Sequence, residues 1–220
     1  MTAHPFPAAA AQKRFIALRY WLLGHNYNEA LRALDYNRRL FTGTRKDGVT
    51  PEFDHHVCQV QFLRTLLPYL DYPEETICTT LSHDTPEDKD VSPQEIERFY
   101  VDAQFGARVS SATMRVTKTY RGQKFLAADL FAQMSQCPIA SIVKGVDRFH
   151  NLQSMVGVFS LEKQKEYVRE TEEYILPMLK DAEMRFPSQE PAYKNIRTIL
   201  KSQLAILSEL HKCMEKENGA

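Results

Sequence analysis

Apolar residues return along this chain every three or four positions, and little interrupts them: only 8 glycines fall in 220 residues. That rhythm lines one face of a helix, whereas a half-buried strand alternates with period two. The fold class read from it is all-α. Helices are expected over 12–24 and 28–41, the second with Ala30, Leu31, Leu34 and Leu40 as its apolar stripe. Others are expected over about 53–70 and from Pro73 through Leu81 to Asp84, where Thr85-Pro86 should end the helix. Ser92, with Pro93 behind it and Glu95 three residues on, marks another helix start. Gly106 is expected to break the pattern before a helix over 107–118. Two long helices follow, 161–185 with a bend at Pro177, and 191–215 with Ile196, Leu200, Leu204, Leu207 and Leu210 on one side. No repeat or linker divides the chain, which predicts a single domain.

Composition removes several classes of function. Hydrophobic residues at 43% and charged residues at 25% are those of a globule with a core, not of a disordered chain. Lys plus Arg and Asp plus Glu balance at 28 each, so no overall field favours nucleic acid or an anionic membrane, and neither is expected as a partner. Any anionic ligand must be met by local charge. The four cysteines, Cys58, Cys78, Cys137 and Cys213, are far apart and form no Cys-x-x-Cys pair, which suits reduced thiols in a cytosol. The segment Met1–Gln12 lacks the charged start and apolar run of a secretory signal, and the apolar stretch Phe15–Leu23 is short and broken by Arg19. A cytoplasmic location is the resulting expectation.

Chemistry concentrates in a few short segments. Of the seven histidines, His55, His56, His83 and His150 fall in three stretches that also carry acids. His83-Asp84 stands at the end of an apolar helix, in Thr79-Thr80-Leu81-Ser82-His83-Asp84, where a solvated face is not expected, and Asp147 follows a mostly apolar run, Ile139–Val146. A carboxylate in such surroundings needs a metal or an ion-pair partner. Two imidazoles and two carboxylates make a mixed nitrogen and oxygen donor set, suited to Mn, Fe or Zn rather than Ca or Mg. Glu87 and Asp88, one turn beyond the His-Asp pair, are placed to orient an attacking water and accept its proton. Arg45 and Lys46 sit in a loop rich in Gly, Asp and Pro and offer fixed positive charge for phosphate or for stacking on a base. Taken singly, each feature also fits a satisfied core pair, a solvated turn or an exposed loop; their order along the chain is what favours function.

The order His55, His83-Asp84, Asp147 resembles the H…HD…D pattern of HD-domain metal phosphohydrolases. More closely, the chain resembles the hydrolase domain of RelA/SpoT-type alarmone enzymes and the stand-alone small alarmone hydrolases. Gly43-Thr44-Arg45-Lys46-Asp47-Gly48 with Pro51 and His55 is similar to one motif, and Leu81–Asp88 to a second. Phe105–Val109 with Val116-Thr117-Lys118, Val143–Leu152 and Glu170–Pro177 are similar to three more, so the likeness runs from about 40 to 180.

The resemblance implies an HD-domain helical bundle: an N-terminal helical extension over 1–40, a hydrolase core over 41–185, and a C-terminal helix over 186–220. It implies one divalent cation, commonly Mn2+, held by His55, His83, Asp84 and Asp147, with Glu87 and Asp88 acting on the water. Arg45, Lys46, Asn151 and Ser154 would contact a purine alarmone nucleotide such as (p)ppGpp or (p)ppApp, which would lose its 3′-pyrophosphate. The alternatives are another HD phosphohydrolase, such as a 5′-nucleotidase or dNTP hydrolase, and a nucleotide-binding protein without turnover. Three positions depart from the family pattern: His56 stands where relatives commonly have Pro after the ligand histidine, Phe41 where they often have His, and Pro86 just before Glu87. The spacing from Pro51 favours His55 over His56 as the ligand. The first 40 residues and the last helix either complete the fold or form the face of a homo-oligomer.

Overall fold

A computed structural model describes residues 7–218, and the first six residues of the expected N-terminal extension lie outside the described part. The chain is an all-α bundle. Its helices in order are α1 (Pro7–Gly24), α2 (Asn28–Leu40), α3 (Asp54–Leu63), α4 (Pro73–Ser82), α5 (Thr85–Lys89), α6 (Pro93–Phe99), α7 (Ala103–Val116), α8 (Ala127–Ser135), α9 (Pro138–Ser154), α10 (Leu161–Glu170), α11 (Leu176–Arg185) and α12 (Glu190–Asn218). Among the described residues the only sheet is a hairpin, β1 (Thr119–Tyr120) with β2 (Gln123–Lys124). No described helix is long and apolar enough to cross a membrane.

Two helices form the centre. Every residue of α4 from Glu75 to Ser82, and of α9 from Ile139 to Arg148, is buried, and the two pack on each other and on α3 and α7. A helix buried on all faces must satisfy its polar side chains internally, and Thr76 and Thr80 do so by donating to the carbonyls of Tyr72 and Thr76, at 2.6 and 2.8 Å. Gly145 lets α9 approach its neighbours: a Cβ there would lie 2.9 Å from Ile196 Cγ2 on α12 and 3.1 Å from Leu179 Cδ2 on α11. On α12 itself, Ile196, Leu200, Leu204 and Leu207 are buried and Leu210 is partly so.

The structure departs from the sequence reading at several places. The helix expected over 53–70 stops at Leu63 and resumes only as a 3-10 turn, Leu67–Tyr69, because Pro68 has no N–H to continue the ladder and disfavours the α conformation at Leu67. The helix expected to reach Asp84 ends at Ser82, and α5 follows after a two-residue break at His83 and Asp84, until Asp90 closes it at φ +50°. The hairpin follows directly on α7, where no strand is expected; its turn residues Arg121 and Gly122 both have positive φ, as a two-residue hairpin turn requires. The bend expected at Pro177 takes the form of a π-helical turn, Thr171–Ile175, immediately before α11. By contrast, Ser92 and Glu95 form the expected capping box.

Gly106 is a further departure. It does not end a helix but lies inside α7, whose N-cap is Asp102. A Cβ at Gly106 would lie 2.3 Å from the carbonyl oxygen of Glu97, so glycine is there to let α7 touch the backbone of α6. Gly106→Ala must push the two helices apart and is expected to lower stability by about 2–3 kcal/mol. Urea unfolding measures this; an unchanged midpoint would show that the α6–α7 contact yields freely.

Candidate metal centre

The break between α4 and α5 turns the chain so that His83 and Asp84 project together toward α3 and α9. His83 closes α4, and Asp84 opens α5. His55 stands in the first turns of α3, and Asp147 in the middle of α9. The ligand-capable atoms of His55, His83 and Asp84 lie within 4.8 Å of one another. Asp147 joins them through Oδ1, 3.3 Å from His55 Nε2 and 3.7 Å from His83 Nε2. Four residues from three stretches of chain thus face one point.

The hydrogen bonds around His83 show what that point requires. Its Nδ1 donates to the carbonyl of Thr80 at 2.9 Å, which leaves Nε2 with the lone pair. That Nε2 is buried with no hydrogen-bond partner, 3.1 Å from Asp84 Oδ1. A lone pair against two carboxylate oxygens is unfavourable unless a proton or a cation lies between them. Without a cation, Asp84 and Asp147 outweigh the burial that opposes charge and raise the His83 imidazole to about 9. These residues therefore fit a divalent cation, and the mixed nitrogen and oxygen donors suit a first-row transition ion.

His55 is held differently. Gln59, one turn along α3, donates from Nε2 to His55 Nε2 at 2.7 Å and to Asp147 Oδ1 at 3.0 Å. His55 Nδ1 pairs with His150 Nδ1 at 2.8 Å, one of the two carrying the proton. Burial lowers His55 to about 3 and His150 to about 4, so both rings are neutral near pH 7. His55 and His83 shift in opposite directions although both face Asp147, because His83 also meets Asp84 while His55 lies near the positive charge of Arg45.

Asp147 is the most heavily bonded of the four. Lys144 Nζ, one turn earlier and buried, donates to Oδ2 at 2.9 Å, and Asn151 Nδ2 donates to Oδ1 at 2.7 Å. Burial works against its charge, but Lys144, His55 and His83 hold the carboxyl well below the usual carboxylate range. Asn151 therefore orients Asp147 as well as facing the cavity.

The site opens on a cavity of about 500 Å3. Arg45, Lys46, Glu87, Asp88, Asn151 and Ser154 line it together with His55, Asp84 and Asp147, while His83 is buried and is not part of the lining. Arg45 is half-buried, with a guanidinium nitrogen 3.4 Å from Ser154 Oγ; Lys46 is exposed, with Nζ 4.9 Å from the centre of the Phe159 ring. The Arg45-Lys46 loop is fixed by Asp47, which accepts from the amides of Val49 and Thr50 at 2.9 Å each. Glu87 Oε1 accepts from the amides of Lys118 and Thr119 at the start of the hairpin, so only its other oxygen is free of main-chain bonds. Burial, then the negative charge of Asp84, Glu87 and Glu52, raises the Asp88 carboxyl above its ordinary value, as suits a proton acceptor.

Several residues at or behind the wall carry no expected role from the sequence, although most of them fall inside the family-like motifs. Lys118 and the fully buried Arg148 converge on Glu170, each at 2.6 Å. Burial opposes the charge of Glu170, but Arg148 and Lys118 pull its carboxyl from an ordinary 4.5 to about 2. The depressed value means this stability is present above about pH 4.5 and lost as pH falls toward about 2. Glu170→Gln should remove that part of the acid unfolding curve, followed by circular dichroism; an unchanged curve would mean that the pairing adds nothing. Gln59 and Lys144 carry only generic signals, spacings of four and three residues from His55 and Asp147.

An HD domain family model matches residues 33–174 of the chain. No curated protein matches it.

Proposed function

The chain belongs to the HD-domain family, and from that premise and the cavity described above we propose that it hydrolyses the 3′-pyrophosphate of purine alarmone nucleotides, (p)ppGpp or (p)ppApp. The coarser property, metal-dependent phosphohydrolase chemistry, accords with the family and with the His-Asp cluster. The observation that carries the finer reading is that a single wall gathers the Arg45-Lys46 loop, the Glu87-Asp88 pair and Asn151 around the His55, His83, Asp84 and Asp147 set. A simple nucleotidase needs the last set but not all of the others.

Mn2+ is proposed as the cation, with His55, His83, Asp84 and Asp147 as its donors. When bound, it would supply Lewis-acid stabilisation of the negative charge that grows on phosphorus oxygens. The remaining work falls to side chains. Asp88, with its raised carboxyl, accepts a proton from the attacking water, and the free oxygen of Glu87 orients that water. Arg45 and Lys46 hold the anionic and aromatic parts of the nucleotide, and Lys118, Lys144 and Arg148 add positive charge to the wall. Water oxygen bonds to the proximal phosphorus, the bond from phosphorus to the ribose 3′ oxygen breaks, and that oxygen takes a proton. Pyrophosphate and the 5′-phosphorylated nucleoside are the products.

The test is a panel of guanosine and adenosine alarmones, 5′-nucleotides and dNTPs assayed side by side with Mn2+. Pyrophosphate from an alarmone is the expected result. Cleavage of 5′-nucleotides or dNTPs with none from any alarmone would assign the protein to another branch of HD phosphohydrolases, and binding without turnover would make it a sensor.

A further inference from the structure

The chain has one tryptophan, Trp21, in the last turn of α1, and the turn after that helix folds back on it. Asn26, at φ +58°, takes the left-handed conformation that asparagine tolerates, and the amide of Tyr27 then reaches the carbonyl of Leu22 at 3.1 Å. His25 Nδ1 donates to the Trp21 carbonyl at 2.8 Å. Three rings gather as a result. The Trp21 centroid is 4.3 Å from that of His25 and 5.7 Å from that of Tyr27, and the His25 and Tyr27 rings lie within 11° of parallel.

Arg64, at the C-terminal end of α3, places its guanidinium over the Trp21 ring, 4.3 Å from the centroid. A ring face attracts the cation without supplying it a carboxylate partner. Arg14, Arg108 and Arg148 each meet a carboxylate, but among the described residues none pairs with Arg64 and no acceptor takes a hydrogen bond from its guanidinium. Burial, with no nearby acid to oppose it, lowers this group below its ordinary value. Trp21, His25, Tyr27 and Arg64, with Gln61 and Thr65, line a cavity of about 510 Å3, a size usual for small-molecule sites. It shares no lining residue with the cavity at the metal centre. The two lie at opposite ends of α3, with Arg64 roughly 13–14 Å from His55 along the helix axis.

We propose that this second cavity binds a mononucleotide at a site separate from the metal centre. Arg64 takes the phosphate through its unpaired N–H groups, the aromatic walls stack on the base, and the Gln61 amide offers both a donor and an acceptor to the base edge. A ligand with only one of these parts leaves half of the cavity unused: inorganic phosphate leaves the rings bare, and an unphosphorylated nucleoside leaves the cation unpaired. The balance of 28 cationic and 28 acidic side chains supplies no field for a polyanion, which favours a single nucleotide over a nucleic acid.

Trp21, as the one tryptophan, reports on this cavity directly. Its fluorescence, excited at the long-wavelength edge where nucleotides do not absorb, is followed while AMP or GMP is added to the full chain with Mn2+ present. Saturable quenching by at least one of them is expected. Arg64→Gln should weaken that binding by about tenfold or more, because a charge-assisted pair of hydrogen bonds is lost. Arg64→Lys, which keeps the charge but not the planar fork, should fall between, and it decides the matter if circular dichroism shows Arg64→Gln to be misfolded. Arg45→Ala, in the other cavity, should leave the titration unchanged. No quenching by either nucleotide, quenching unaltered by both Arg64 variants, or quenching abolished by Arg45→Ala would overturn the site. Inorganic phosphate or a nucleoside binding as tightly would overturn the nucleotide as its occupant. None of these results depends on pyrophosphate release, so a failure here leaves the proposed reaction standing.

Discussion

Replacing Asp84 with Asn is expected to lower pyrophosphate release by about 10³-fold, equivalent to about 4 kcal/mol of transition-state stabilisation, while the helical circular dichroism stays as in wild type. The side chain keeps its shape, so α4 and α5 need not move, but the carboxylate facing both His83 and His56 becomes neutral. The same change has a readout that does not depend on turnover. In metal-free protein the His83 imidazole is raised to about 9 because Asp84, with Asp147, outweighs its burial. In the Asp84→Asn variant the nearer of these charges is gone, and the ring should titrate well below 9 by NMR. Full activity in Asp84→Asn would take this residue out of the reaction.

Asp147→Ala carries the largest expected cost in stability, because it removes an acceptor on which four groups converge. Lys144, 7% exposed, has its ammonium on Asp147 Oδ2, while Gln59 and Asn151 donate to Oδ1 and His55 lies beside it. An uncompensated buried charge typically costs about 3–5 kcal/mol, and a loss of that size is expected by urea unfolding of metal-free protein. Adding Lys144→Met to Asp147→Ala should restore part of it, since the stranded charge then disappears. A loss below about 1 kcal/mol would show that Lys144 reaches water when its partner is gone.

Which residues face each other is readable where chemistry is unusual for its surroundings. A His-Asp pair at the end of an apolar helix and an acid after a second apolar run both stand out against solvated faces, and the fold brings both to His55. The supporting residues are hidden because their signals are common ones. Gln59 is a helical neighbour of His55, as any residue four positions on would be, and Lys144 beside Asp147 reads as an ordinary pair until both prove buried. Long-range partners leave no trace at all. Arg14 on α1 grips Asp54, the residue before His55, through two bonds of 2.9 and 2.6 Å, so a helix outside the family match braces the start of α3. Gly106 misleads because glycine breaks a helix and admits a close neighbour with equal ease, and only the position of Glu97 distinguishes the two.

The most direct test of the metal centre is elemental analysis of protein stripped with chelator, dialysed against Mn2+ and desalted. Wild type is expected to retain at least one ion per chain and Asp84→Ala to lose it, with the two proteins equally helical. A well-folded wild type that retains none would contradict the proposal that His55, His83, Asp84 and Asp147 hold a cation.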